Sequence, residues 1–426
     1  MSINFFGGGI AIIPNLILIC GYARINGKTK TVSRENMIKK IRQSLIVMLV
    51  SMGPLSVALA ANVDEINHIE TLKVTSRYSV QPIEFTVTLP PNYSRNSDQR
   101  YVVLFDFHPR SRAYLDGMHD WMSHNGAWPW LETIIVTAPD GSEPLGNMKT
   151  AAIEEQGDTQ LLDFIQQALL PAIDANYRTN GFRIFNGFTG NAGLVLYTLI
   201  NRPELFNAYF AASPVLSQDF AYVIKDAPKK LAAMQGKPRF LLMSTSDSDF
   251  EQRQLADFAL MEQVLTTYAT KTLDYHIKRF DGSYYMTQPI LATAYGIELL
   301  FNDYHQVLSA DSEIAKRGSD AIIAHYRYLS EEKYGFDVPS TESLIALAEA
   351  EFAKNEPKGL VVYLAAVSAN PNSHTAHDAL AGAYGKMKQF DKAIKHEKLA
   401  LEHTDHPFWT RKYSQNLAAF EAKKAL

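Results

Sequence analysis

The sequence predicts an α/β fold, a mostly parallel sheet with helices on both faces, followed by an all-α tail. Three observations predict it. Between about residues 69 and 304, short apolar runs that read as strands alternate with stretches of helical periodicity, the pattern of a parallel sheet covered on both faces. Within that region, Arg183–Tyr197 (RIFNGFTGNAGLVLY) reads as a buried strand, a sharp glycine-bearing turn and an apolar helix in direct succession. After about Tyr304 the strand signals vanish and the chain reads helical to its end.

The 426 residues provide enough material for two or three domains and a sizeable core. A formal net charge of −4 argues against nucleic acid, since phosphate binding needs clustered Lys and Arg. From Met37 the chain reads MIKKIRQSLIVMLVSMGPLSVALAANV. Lys39, Lys40 and Arg42 form a positive segment, Leu45–Leu59 a short apolar run, and Ala58-Leu59-Ala60 a small-x-small site before a cleavage point near Ala61. That is the pattern of a secretory signal peptide, with an apolar run short for a membrane span. Met37 is therefore read as the initiator and residues 1–36 as an upstream extension. A membrane-anchored form that also uses Ile10–Cys20 is the alternative, although Pro14 and Asn15 interrupt that run. The one cysteine, Cys20, precedes Met37, so a chain starting near Ala61 holds neither a disulfide nor a thiolate metal site. The expectation is an exported protein, periplasmic or secreted, of a bacterium.

Taken in order, Leu72–Tyr78 and Glu84–Leu89 are period-2 strands, ended by Pro90-Pro91. Tyr101–Phe107 (YVVLFDF) and Thr133–Ala138 (TIIVTA) are the nearly continuous apolar runs of strands buried on both faces. A long amphipathic helix is expected between Ile153 and Tyr177, with Leu161, Phe164, Ile165, Leu169 and Ile173 on one face. After the turn at Gly187 come strands Ala208–Ser213 and Phe240–Thr245, helix Leu255–Tyr268, strand Leu273–Phe280 and helix Pro289–Phe301. The expected organisation is an extension and signal peptide over 1–60, an α/β domain over 61–305, a helical connector over 306–340 and helical repeats over 341–426. The repeats are read from a self-similarity in which Gly359, Ala366 and Pro371 stand 34 residues before Ala393, Ala400 and Asp405. With Leu380-Ala381 and Tyr384, these fall at the spacing of the tetratricopeptide pattern. Glu397 and Asp405 stand where an aromatic and a proline are usual, and a generic helical tail is the alternative.

With these pieces in place, the middle of the chain resembles the esterase D-like and enterobactin-esterase-like family of α/β-hydrolases, some of which carry C-terminal helical repeats. YVVLFDF, LLPAIDANYRTNGFRI, NRPELFNAYFAASPVL and FDGSYYMTQPILATAYGIELLF carry the resemblance, which spans about Ile69 to Tyr304. It implies an α/β-hydrolase fold, and it makes Gly187-Phe188-Thr189-Gly190-Asn191 the nucleophile elbow, where G-x-S-x-G is usual. Thr189 then stands at the nucleophile position, with a β-branch that crowds the turn, and Asn191 replaces the closing glycine. The family's histidine falls on Tyr285, and a phenol is a poor general base at neutral pH. The family's acid falls on Asp249, with Asp247 next; capping of a helix beginning near Glu251 is the other reading of both. The oxyanion turn reads His108-Pro109, and proline has no N–H to donate.

The site expected from the resemblance is therefore Thr189, Tyr285 and Asp249 at the catalytic positions, with His108, Arg110, Arg112 and Tyr284 as binding residues. Two functions remain open. The first is a degenerate esterase-family protein that binds a small-molecule ester or polar ligand in the old cleft, or a protein partner through the helical repeats. The second is a working carboxylic ester hydrolase with Thr189 as nucleophile and His108, on the facing loop, as base. His276 alternates with Tyr275 and Ile277 on a strand and is expected to point outward. No cofactor is implied, and no metal, since His374 and His377 read as part of a surface helix without metal-ligand spacing.

Overall fold

The computed structural model describes residues 68–94, 98–124 and 129–425. The expected signal peptide and upstream extension lie outside the described residues. All described residues fall within one compact unit, Glu65–Leu426.

Eight strands form one sheet: β1 (His68–Ser76), β2 (Ser79–Leu89), β3 (Tyr101–Asp106), β4 (Thr133–Thr137), β5 (Thr179–Phe188), β6 (Ala208–Ala212), β7 (Arg239–Thr245) and β8 (Leu273–Arg279). Their order is β1-β2-β4-β3-β5-β6-β7-β8. The β1–β2 and β2–β4 pairs are antiparallel and all others parallel. This is the expected α/β-hydrolase arrangement. The continuous apolar runs follow from burial on both faces: Val103 and Phe105 enter one core, Val102 and Leu104 the other.

Helices α1 (Ser111–His124), α2 (Glu143–Glu154), α3 (160–176), α4 (Gly190–Asn201), α5 (Val223–Ala232), α6 (Leu255–Tyr268) and α7 (Gln288–Leu300) cover the sheet. Helix α3 runs Gln160–Phe164, passes through a π-helical turn at Ile165–Leu169 and ends as Leu170–Asn176. The single helix expected from Ile153 to Tyr177 is thus two helices. The chain breaks after Glu154 and turns at Gly157, whose φ of +89° favours glycine. The five expected apolar positions of α3 are nonetheless all buried.

Beyond the sheet, α8 (Ser319–Tyr328) leads to five helices: α9 (Thr341–Lys354), α10 (Glu356–Ala369), α11 (His374–Lys386), α12 (Phe390–Glu402) and α13 (Pro407–Lys424). Four of the residues related by the 34-residue spacing, Gly359, Ala366, Ala393 and Ala400, are buried on helices, while Pro371 and Asp405 lie exposed between helices. A Cβ on Gly359 would stand 2.3 Å from Phe352 Cα. One apolar cluster runs from the sheet (Val102, Phe182, Phe210) through α7 (Ile297, Leu300) to Leu344, Tyr363 and Leu380 of the tail. The tail is therefore packed into the same core as one face of the sheet. No helix among the described residues is long and apolar enough to cross a membrane.

His377 departs from the expected surface position. It is buried, its Nε2 lies 3.0 Å from Pro371 O and its Nδ1 3.0 Å from His396 Nδ1, and its ring stacks on His396 and His403. Beside this stack Glu397 is fully buried on α12. Its neighbour Asp378 accepts hydrogen bonds from Lys412 Nζ and Asn416 Nδ2 of α13, each at 2.9 Å. Burial, then the Asp378 charge, pushes the Glu397 carboxyl up to about 8. Burial, then His377 and Lys395, pushes His396 down to about 4.

These two shifts have opposite linkage. A carboxyl raised from 4.5 holds its proton more tightly in the folded chain, so stability falls as pH rises from 4.5 towards 8. A histidine lowered from 6.5 loses stability as pH falls from 6.5 towards 4. The two oppose one another between about pH 4.5 and 6.5, and only the Glu397 decline remains above that window. Glu397→Gln is expected to remove a loss on the order of 2 kcal/mol between pH 6.5 and 8. It should also expose a new loss below pH 6.5. Melts of both proteins at pH 5.5, 6.5 and 8 check this, and parallel pH profiles would refute it.

Candidate active site

The elbow is built by local constraint. Thr189 links β5 to α4 with φ 54° and ψ −119°, in the left-handed region where a β-branched residue is strained. The turn is fixed by its backbone: Thr189 N–H donates to Ala212 O at 3.0 Å, and Thr189 O accepts from Gly193 N–H and Val215 N–H at 3.1 Å each. Close approach is made at two glycines. A Cβ on Gly187 would stand 2.8 Å from the backbone C and O of Asn191, and one on Gly193 2.5 Å from the Phe220 ring. Contact of strand with helix therefore rests on Gly187 opposite Asn191, so the asparagine at the closing position is accommodated. A Cβ on Gly190 would meet nothing within 4 Å.

Thr189 opens onto a cleft of about 370 Å³ at the C-terminal ends of β3 and β5, where open α/β sheets place ligands. His108, Arg110, Thr189 and Tyr285 line it together, joined by Asp106, Ser111, Tyr114, Phe188, Met286, Pro289 and Ile290. Arg112, Tyr284 and Asp249 are not among its lining. Arg112 instead pairs with Asp116 at 3.2 Å, one turn along α1, and Tyr284 is 85% exposed.

Tyr285 is held by rings on both sides. Its centroid lies 4.9 Å from Phe188, next to the nucleophile position, and 5.3 Å from Phe250, next to Asp249. An aromatic stack thus joins the turn at Thr189, the loop carrying Tyr285 and the loop carrying Asp249. Asp249 is exposed, and Asp247 accepts a hydrogen bond from Gly282 N–H at 2.7 Å. Neither caps a helix, because α6 begins at Leu255 after Gln254, with no side-chain cap bond. The buried carboxylate of this loop is Glu251, which accepts from Thr245 Oγ1 at 3.0 Å, Ser248 Oγ at 3.2 Å and Ser246 Oγ. His276 lies on β8, stacked on Phe240 and paired with Asp274 at 3.2 Å.

The floor of the cleft is a polar network that sequence reasoning missed. Asp106 is fully buried at the end of β3. Its Oδ1 accepts His108 N–H at 2.8 Å. Its Oδ2 accepts Asn186 Nδ2 at 2.6 Å and Tyr114 Oη at 3.4 Å. Thr293 Oγ1 donates to Asn186 Oδ1 at 3.2 Å. Burial pushes the Asp106 carboxyl up to about 6, against the pull of the His108 amide, Asn186, Ser111 and Lys149. Lys149 donates to Phe107 O at 2.8 Å and is itself pushed down to about 8 by burial. The His108 N–H is therefore taken by Asp106 and Pro109 has none, so this turn offers a ligand no backbone donor from either residue. The His108 ring is oriented locally, with Nδ1 accepting Arg110 N–H at 3.2 Å. Among the described residues no cluster of three or more His, Cys, Asp or Glu could hold a metal ion.

Compared with known proteins, residues 76–284 match the family described as "Putative esterase". Among solved structures, an uncharacterised protein from Capnocytophaga ochracea is similar at 15% identity, covering 83% of this chain and 100% of that one, with a TM-score of 0.62. An IroE-like serine hydrolase from Shewanella oneidensis is similar at 17% identity, covering 79% and 100%, with a TM-score of 0.53. At these identities the likeness is one of fold. The covered share exceeds residues 76–284, so it reaches beyond the esterase segment. No curated protein matches the sequence.

Proposed function

With an esterase-family domain of α/β-hydrolase fold over residues 76–284, we propose that this chain no longer hydrolyses esters by the serine mechanism and acts by binding a ligand in the inherited cleft. The observation that carries the reading is the occupant of the base position. Tyr285 packs against Phe188 and Phe250, and among the described residues Thr189 Oγ1 has no hydrogen-bond partner. A hydroxyl without a base at hydrogen-bond reach is a weak nucleophile. The lining favours a molecule with an apolar body, since Phe188, Tyr285, Met286, Pro289 and Ile290 surround it.

The second reading, a threonine hydrolase with His108 as base, draws on one observation: Thr189 and His108 line the same cleft. Hydrolysis of a short-chain nitrophenyl ester by wild type and Thr189→Ala decides between them. Rates at background and equal in the two proteins are expected. Turnover that disappears in Thr189→Ala would refute the binding reading.

We further read the chain as exported, on its basic and apolar N-terminal segments and the Ala58-Leu59-Ala60 site. N-terminal sequencing of the protein from a periplasmic fraction is expected to begin at Ala61. The helical tail is read as tetratricopeptide-like and open to a protein partner, on its 34-residue spacing and buried small residues.

A further inference from the structure

The polar residues that line the cleft can all donate a hydrogen bond to an anion, except one. Arg110, Thr189, Ser111, Tyr114 and Tyr285 carry N–H or O–H groups, while the one carboxylate, Asp106, has both oxygens engaged by His108 N–H, Asn186 and Tyr114. His108 decides the chemistry. A backbone N–H can only donate, so the 3.2 Å bond from Arg110 N–H requires a bare Nδ1 on the His108 ring. A neutral ring with a bare Nδ1 carries its proton on Nε2.

We infer that His108 is a fixed hydrogen-bond donor rather than a base: its Nε2–H stands in for the backbone donor lost at His108-Pro109 and receives the anionic oxygen of an amphiphilic carboxylate whose apolar body lies along Tyr285, Met286, Pro289 and Ile290. The inference rests on the reading of the cleft as a binding site. Burial, with the Lys149 and Arg110 charges, pushes the His108 ring below the ordinary histidine range, against the pull of Asp140, so the ring is neutral at pH 7. A neutral imidazole held by a local backbone bond cannot take the Thr189 proton at Nδ1 without breaking that bond. A cleft of about 370 Å³ admits a medium-chain acid.

The test has two arms on the full-length protein. Long-range proton–nitrogen correlation spectra of protein labelled at histidine, with His108 assigned by its loss in His108→Ala, read the tautomer directly. Calorimetric titration with octanoate and with octanol reads the ligand class. The inference expects a bare Nδ1 and a protonated Nε2, and octanoate bound more tightly than octanol. It also expects about tenfold weaker octanoate binding in His108→Ala. His108→Gln, whose amide N–H₂ reaches a similar point, should recover most of that loss. A protonated Nδ1, or octanoate held equally by wild type and His108→Ala, overturns the inference. Octanol binding as well as octanoate overturns it while leaving the cleft a binding site. Binding of neither amphiphile overturns the inference and the binding reading together.

Discussion

Gly187→Val is expected to destabilise the protein on the order of 3 kcal/mol, lowering its melting temperature by roughly 5 °C or more. The cause is a contact with no flexible partner. A Cβ at Gly187 would stand 2.8 Å from the C and O of Asn191 and 3.0 Å from Ala192 N. All three are backbone atoms of the first turn of α4. That turn cannot retreat freely, because Thr189 is tied to Ala212, Gly193 and Val215 by three backbone hydrogen bonds. Gly190→Ala is the control: its Cβ would meet nothing within 4 Å, so alanine at this helical position should be neutral or slightly stabilising. Thermal melts of the three proteins give the answer. Equal losses at Gly187 and Gly190 would mean that the elbow does not depend on this approach.

The elbow was legible because its signal is local. Glycines at fixed offsets between a strand and an apolar helix leave little freedom of interpretation, and burial on both faces makes β3 and β4 read as unbroken apolar runs. The break after Glu154 was not legible, because the apolar positions of α3 keep helical spacing across it while Gly157 turns the chain. His377 read as a surface residue because its burial depends on His396 of α12 and His403 just after that helix, which cover it from positions 19 and 26 residues later. The loop after β7 misled in a similar way. Asp247 and Asp249 are the conspicuous carboxylates, yet the buried one is Glu251, drawn in by three hydroxyls. The cleft floor was the largest omission. One polar residue interrupts YVVLFDF and one interrupts RIFNGF, and a lone polar group in a doubly buried strand needs a partner. That signal was available. What the sequence withheld is that β3 pairs with β5, with Asp106 beside Asn186, although β4 lies between them in the chain.

That pairing sets the second large effect. Asp106→Ala is expected to cost about 3 kcal/mol at pH 7, because it leaves the His108 amide and Tyr114 Oη without their acceptor, and Asn186 Nδ2 with only Tyr114 Oη at 3.1 Å, at the buried floor of the cleft. The carboxyl is raised from 3.8 to about 6, so wild-type stability is full below 3.8 and declines as pH rises through 6. The Asp106→Ala deficit should therefore be larger at pH 4 than at pH 7. Asp106→Asn keeps the shape and removes the titration, but turns an N–H₂ towards Asn186 Nδ2, a donor facing a donor. Asn186 cannot simply rotate its amide, since its Oδ1 already accepts Thr293 Oγ1 at 3.2 Å. Exchanging both residues, Asp106→Asn with Asn186→Asp, restores one donor facing one acceptor. The double variant is expected to be more stable than the sum of the two single losses by about 1–3 kcal/mol. Urea unfolding of the four proteins measures that coupling. Simple additivity would mean that the floor of the cleft is not held by this contact, and that the loop carrying His108 is positioned by something else.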